Sequence, residues 1–365
     1  MPIDVKKAQE AKERAEEERR KKEASNLLPA LLKNGYREAP SNKLINDFMS
    51  ISYYAEKQAA KERETVDTSK DKIIMKRDGY TLEITDPDAI SNDCSRLIFY
   101  CLTLYDRYKQ ERDGLVTYEF SISTYNKDRT KTLWYKRQKV MESFRLLLQS
   151  SSYFIINDAT DKAVAGSFFD DVGVDGDKAY FTFSNSFIKH FLQTDKTSYT
   201  PIPLSLWSLP MRQRDIGFKL GRFIAVHRHL ARLHKDSNMM SMKVILDNCL
   251  KDILPSKEKV KAMRGSYKAK IISPIDEAIN DLRATGSYTI NYCNKEGVIL
   301  SKKEIAAALN DIDRFMELYI VFELYNYGEV QHISQQQTRA LLDKKEKEAK
   351  KWEKQDRERA LKKGQ

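Results

Sequence analysis

Hydrophobic residues recur at helical spacing over 131–149. Leu133, Val140, Met141, Phe144, Leu147 and Leu148 fall on one side, and Lys131, Tyr135, Gln138, Lys139, Glu142 and Arg145 on the other. The pattern predicts an amphipathic helix with a core face and a charged face. Arg137 interrupts the apolar stripe one turn after Leu133, so either the helix starts later than Lys131 or the guanidinium snorkels or pairs there. An apolar helix over 90–108 comes first, then an extended run, VTYEFS from Val116, and a short segment in which Ser123 is a candidate helix cap. YFIIND from Tyr153 and KAYFTFSNSF from Lys178 follow as extended segments, the second read as the return strand of a hairpin. The order helix, strand, helix, helix, strand, strand is that of a winged helix-turn-helix, whose third helix can enter a DNA major groove.

The same logic recurs downstream. Ile216, Leu220, Phe223 and 226–230 give the stripe of a helix over Arg212–Lys235, followed by a short helix over Met240–Leu250 and a basic one over Ser256–Arg264. A longer helix over Ser266–Gly286 ends at a glycine of the kind found after helix C-termini, and SYTINYCNKEGVIL supplies one strand or two. Ser273 and Asp276 would allow a fresh helix start at Pro274, but Tyr267, Ile271, Ile275, Ile279 and Leu282 continue one stripe, which favours a single kinked helix. Ser301 and Glu304 form a capping box that predicts a long helix to Tyr327. The fold expected is α+β and mostly helical, with tandem winged helix-turn-helix units and charged helical arms at both ends. Its segments are an N-terminal arm (1–40), a connecting helix and hairpin (41–89, with Asp78-Gly79 at the turn), the first winged unit (90–192), and a proline-marked linker (193–211). The second winged unit (212–300), a packing helix (301–337) and a basic tail (338–365) complete the chain.

Charge sharpens this picture. Sixty-four Lys and Arg against 53 Asp and Glu in 365 residues leave a formal charge of +11, which suits a polyanionic partner, nucleic acid first and an anionic membrane second. The arms at 4–24 and 338–365 are charged and nearly coreless. No apolar run reaches the roughly 18 residues of a membrane span, and MPIDVKKAQEAKER lacks the apolar core of a signal peptide, so a cytoplasmic location is expected. Cys94, Cys101, Cys249 and Cys293 have neither metal-site spacing nor disulfide density and read as small buried hydrophobes.

Candidate chemistry concentrates on two helices. Lys127, Arg129, Lys131, Lys136, Arg137, Lys139 and Arg145 stand against Asp128 and Glu142 on the turn and third helix of the first unit. The cations there would contact phosphates, while Tyr135 and Gln138 could reach base edges. Asp170, Asp171, Asp175 and Asp177 are read as the tip of an acidic wing turned away from DNA and open to a second protein. His227 and His229, two apart on a helix, point away from one another and cannot share a metal. The sequence has no phosphate-binding loop, no His-Glu-x-x-His and no nucleophile elbow, so neither an enzyme nor a cofactor is expected.

Tyr267, Lys268, Lys270, Ile271, Ile272, Pro274, Ile275, Ala278, Ile279 and Leu282, followed by a strand of alternating Tyr and Ile, resemble the second recognition helix of plasmid replication initiators built from two winged helices. The duplicated architecture over 90–300 is similar as well. The resemblance implies binding to repeated double-stranded sites at an origin, duplex opening, recruitment of host replication proteins and, for some members, homodimerisation. Carried onto this chain it implies DNA contacts at Arg264, Ser266, Tyr267, Lys268 and Lys270. Asp276, Glu277 and Asp281 depart from it, so only the amino-terminal part of the helix is expected at the groove. The function expected is initiation of replication of a plasmid or mobile element. A winged-helix repressor and a non-enzymatic adaptor are the alternatives.

Overall fold

The computed structural model describes residues 31–41, 45, 72–77, 80–85, 92–105, 116–127, 131–149, 153–157, 162–192, 197–210, 215–230, 238–250, 253–262 and 266–330. Residues 1–30 of the expected N-terminal arm (1–40) and the expected tail at 338–365 lie outside them, while 36–40 of that arm belong to a strand, Tyr36–Ser41. The chain divides into two compact units, Met1–Glu38 with Asn326–Gln365, and Ala39–Tyr325. In the first, Leu31, Tyr36, Tyr327 and Val330 are buried and Asn326 Nδ2 donates to Asn34 Oδ1 (3.3 Å). The second combines helices with small antiparallel sheets, an α+β architecture.

Within Ala39–Tyr325, β1 (Lys72–Arg77) and β2 (Tyr80–Thr85) pair antiparallel with Arg77 opposite Tyr80, and the expected Asp78-Gly79 turn itself lies outside the described residues. Helix α1 (Asn92–Leu104) is enclosed almost all round, with residues 94–103 each under about a tenth exposed. Strand β3 (Thr117–Ser121) leads into a single turn, α2 (Ile122–Tyr125), and then α3 (Leu133–Gln149). Next come β4 (Tyr153–Asn157), β5 (Lys162–Gly166), β6 (Phe169–Asp175) and β7 (Lys178–Phe183).

Three expectations change here. YFIIND does not pair with KAYFTF. β4 joins β1, β2 and β5 in a four-stranded sheet, and the partner of β7 is β6, hidden in a stretch rich in Gly and Asp. Ser121, not Ser123, caps α2, accepting the Thr124 amide at 3.1 Å. On α3 the buried stripe is Lys136, Val140, Ser143, Phe144 and Leu147, whereas Leu133, Met141 and Leu148 are exposed. The helix starts two residues later than expected, and positions 136, 140, 144 and 147 are the ones aligned at helical pitch. Arg137 is half-buried and its Nε has no hydrogen-bond partner among the described residues.

Sheet β3-β7-β6 carries an aromatic core. Phe169 stacks on Phe183 (5.5 Å), meets Phe181 edge-on (5.6 Å) and takes Phe144 of α3 on its face (5.7 Å). Alternation along β7 puts Ala179 and Phe181 inward and Lys178 and Tyr180 outward.

The stretch read as a linker is packed. After the short helix α4 (Asn185–Phe187, widening at Ile188–Leu192), β8 (Ser198–Pro203) and a tight turn (Leu204–Ser208) bury Ile202, Leu206, Trp207 and Leu209. Trp207 sits between the first helices of the two halves, α1 and α5 (Ile216–Leu230), with Phe99 at 5.8 Å, Tyr100 at 5.2 Å and Phe218 at 5.7 Å. Beside it Arg96 of α1 donates to Asp215 through Nε (2.6 Å) and Nη2, and to the carbonyls of Leu209 (3.0 Å) and Pro210 (3.3 Å). Both charged side chains are almost wholly buried.

On α5 the buried positions are Ile216, Phe218, Lys219, Leu220, Gly221, Ile224, Ala225 and His229, while Leu230 is exposed. Gly221 permits the crossing with α8 (Ser273–Ala284), because a Cβ there would overlap the side chains of Leu206 and Leu282. Strand β9 (Met239–Ser241), unforeseen in the sequence, precedes α6 (Met242–Val244), which Ser241 caps and which widens over Ile245–Leu250. Helix α7 (Lys257–Ala262) follows. A π-helical turn, Lys268–Ile272, then runs into α8 with Ile272 and Ser273 both helical. This is one helix, as the unbroken stripe required: the wider turn accommodates the missing N–H of Pro274, and Gly286 (φ +74°) follows its end.

Beyond β10 (Tyr288–Cys293), the expected long helix is replaced by α9 (Lys302–Ala308), α10 (Ile312–Glu317) and β11 (Tyr319–Leu324). The Ser301–Glu304 capping box is present at the start of α9. Asp311 starts a new helix by accepting the amides of Asp313 and Arg314, and the alternating YIVFEL completes a sheet with the order β9-β11-β10.

Replacing Arg96 by Met should leave the Asp215 carboxylate buried and unpaired, at a cost of about 3–5 kcal/mol in urea unfolding. Combining it with Asp215→Asn should recover part of that loss.

Candidate nucleic-acid interface

Local bonding sets the head of α3 and ties the β6-β7 turn to α2. Thr132 accepts the Tyr135 amide through Oγ1 (3.3 Å) at the head of α3. The turn between β6 and β7 closes at Gly176 (φ +57°), which places Asp177 at the start of α2. Its carboxylate accepts Ser121 Oγ (2.7 Å), Ser123 N (2.9 Å) and Ser123 Oγ (2.8 Å), while its carbonyl accepts the Ile122 amide (2.8 Å). Partial burial pushes this carboxyl up, but the bonds from Ser121 and Ser123, with the Lys136 charge nearby, outweigh it and hold the group below its ordinary value. Asp177 is therefore a clamp, while Asp170, Asp171 and Asp175 are exposed. Asp170 and Asp171 lie beside a bulge at the far end of β6, so the four acids do not share one tip.

Lys136 is a correction. Expected at a DNA face, it is only 8% exposed, with its stem in the core stripe and its ammonium on the Asn126 carbonyl (2.7 Å). Lys127, Lys131, Tyr135 and Gln138 do lie at the surface, Lys131 over the Tyr135 ring at 5.4 Å. Lys139 is half-exposed and pairs with Glu142 (3.1 Å), which raises its pKa through that hydrogen bond. Arg129 lies outside the described residues. Trp134, 67% exposed, was not singled out in the sequence, and Met141 was placed in the core. Phasing the stripe on Val140, Phe144 and Leu147 alone would have put both outside. Trp134, Gln138, Met141 and Arg145 then form one outward line at helical spacing.

In the second half, Ser266, Lys268 and Lys270 are exposed at the head of the helix and Tyr267 is half-buried, while Arg264 lies outside the described residues. Ser266 Oγ accepts the Ala269 amide (3.4 Å). Lys268 Nζ donates to Asn310 Oδ1 (2.7 Å), and Lys257 of α7 pairs with Asp313 of α10, so the α9–α10 segment lies against two of these cations. Further along α8, Asp276 accepts the Tyr292 hydroxyl (2.9 Å), Glu277 is exposed and Asp281 is half-exposed. The exposed cations thus gather at the amino-terminal end and the acids follow.

Cys94, Cys101, Cys249 and Cys293 are buried thiols outside any disulfide. Among the described residues, no group of three or more His, Cys, Asp or Glu could hold a metal, and no helix is long and apolar enough to cross a membrane. No protein-family model and no curated protein matches the chain.

A depressed native carboxyl stabilises the fold above its unfolded pKa and ceases to do so as pH falls through the native value. Asp177→Asn should therefore cost about 1 kcal/mol at neutral pH. Its difference from the unaltered chain in urea unfolding should shrink as pH drops below about 4.

Proposed function

We propose that the chain is a sequence-specific double-stranded DNA-binding protein made of two winged-helix units, acting as the replication initiator of a plasmid or mobile element. The observation that carries this reading is duplication. Each half runs helix, strand, one or two short helices, long helix, then two more strands, and in each sheet the last of the three strands lies between the first and second. Each long helix also bears exposed cations or hydrogen-bonding side chains at or near its amino-terminal end. An embedded β4-β5 hairpin in the first half and the α9–α10 segment in the second are additions to a shared plan.

In this mechanism α3 and the head of α8 dock in successive major grooves, about 34 Å apart along one face of the duplex. Lys127, Lys131, Lys268 and Lys270 contact phosphates, while Tyr135, Gln138 and Ser266 face base edges. Trp134 and Met141 add apolar surface suited to thymine methyl groups. The buried join between the halves would hold the two helices in fixed register. Such an initiator works in the cytoplasm on repeated sites, with host replication proteins and a second copy as further partners.

Lys268→Ala with Lys270→Ala should weaken binding to every sequence and reduce the salt dependence of log K by about 2. An unchanged slope in a salt titration would show that neither lysine meets a phosphate. Gln138→Ala should alter the sequences recovered from a random duplex pool, whereas an identical set would remove base reading from α3. Permanganate-reactive thymines beside the footprint would separate initiation from simple repression.

A further inference from the structure

The turn that follows β10 ends in two adjacent apolar residues that face water. Val298 is 61% and Ile299 59% exposed, two adjacent β-branched side chains in water beside the buried residues of β10. The exposure belongs to a stitched turn. Asn294 N donates to Val298 O (3.0 Å), Gly297 N to Asn294 O (3.0 Å) and Leu300 N to Tyr292 O (3.0 Å). Asn294 Oδ1 also accepts the amides of Glu296 (3.1 Å) and Val298 (2.9 Å), Gly297 takes the φ of +81° that closes the loop, and Cys293 bridges to Ile299. The capping box at Ser301 fixes the chain on the other side.

Charge and position complete the argument. Lys295, Lys302 and Lys303 flank the apolar pair, are exposed and enter no ion pair among the described residues; of the two nearby acids, Glu304 is folded back onto Ser301. Strand β10 retraces α8 towards its start, with Arg283 bonded to the Ile290 carbonyl (2.7 Å) and Tyr292 to Asp276 (2.9 Å). The turn therefore emerges at the end of the helix that carries Ser266, Lys268 and Lys270.

We infer that Val298 and Ile299 form an apolar wedge that enters the minor groove and unstacks a base step, with Lys295, Lys302 and Lys303 seating the turn on the flanking phosphates. The inference rests on the DNA-binding reading above and adds to it the means of opening the duplex. Apolar side chains inserted between base steps kink DNA towards the major groove at a cost of a few kcal/mol per step. A·T steps, above all TA, are the easiest to open. A preorganised turn loses little conformational entropy on insertion.

The test uses the full chain and a negatively supercoiled plasmid carrying its own coding sequence with flanking DNA, reading occupancy by footprint and unstacking by permanganate reactivity of thymines. Val298→Ser with Ile299→Ser alters exposed side chains and should leave thermal unfolding unchanged. It should keep affinity within about threefold while lowering thymine reactivity about tenfold at equal occupancy. Lys295→Ala, Lys302→Ala and Lys303→Ala together should weaken binding and lower the salt slope by about 3. Equal reactivity with the Ser variant overturns the wedge, as does a footprint from the unaltered chain without reactive thymines, and in both cases DNA binding stands. Absence of any footprint overturns the DNA-binding reading and the wedge with it.

Discussion

A guanidinium and a carboxylate, both withdrawn from water, join the two halves of Ala39–Tyr325. Removing two charges from solvent is expensive, and the geometry offsets it only because Arg96 also satisfies the carbonyls of Leu209 and Pro210. Asp215 takes a left-handed conformation (φ +47°) to reach its partner, one that Asp tolerates better than most residues. Around the pair, Phe99, Trp207 and Phe218 exclude water, with Arg96 over the Phe218 ring at 4.8 Å and Arg222 over Phe99 at 5.3 Å. A hydrophobic join of this size would stabilise as well but would tolerate sliding. A bidentate pair with two further carbonyl bonds accepts one geometry, so α1 and α5, and the helices packed on them, keep a fixed relation.

The fold was legible where the signal is local. The pairing of β1 with β2, the capping box at Ser301, the glycine after α8 and the stripe across Pro274 each depend on a few neighbouring residues, and each stands in the structure. What failed depended on distant partners. Asp215 stood out as the lone acid in a cationic segment, yet nothing in the chain points to Arg96, 119 positions away. β6 was hidden because Asp170, Asp171, Gly173 and Asp175 have low strand propensity, and pairing with β7 overrides that preference. Helix-like spacing from Ile305 to Ile320 masked the break at Asp311 and the strand beyond it, since short apolar runs suit either periodicity.

For the candidate interface the limit was phase. Lys136 was counted with its charged neighbours because residue type alone cannot distinguish a lysine in water from one whose stem is core and whose head meets a carbonyl. Met141 failed in the opposite direction, an apolar residue presented to solvent. Both errors come from fitting one stripe through Leu133 and Leu148, which lie near the helix ends, where burial is least constrained by the body.

The two halves share a plan but present different turns after their long helices. In the first, the hairpin turn spends its charge inward: Asp177 holds α2 in place and lies near the Lys136 ammonium. The acids of β6, Asp170 and Asp171 at its far end and Asp175 at the turn, would be repelled by phosphate. In the second, the turn carries lysines and an apolar pair, and the inserted helices place Asn310 and Asp313 against Lys268 and Lys257. The two halves, alike in element order, therefore do not present equal surfaces. On the proposed reading, the first half would meet DNA chiefly through its helix and supply register, and the second, with both a helix head and an apolar turn at one end, would supply deformation. Such a division would make the buried join consequential, because leverage on a duplex would require that the gripping half and the prying half cannot rotate against each other.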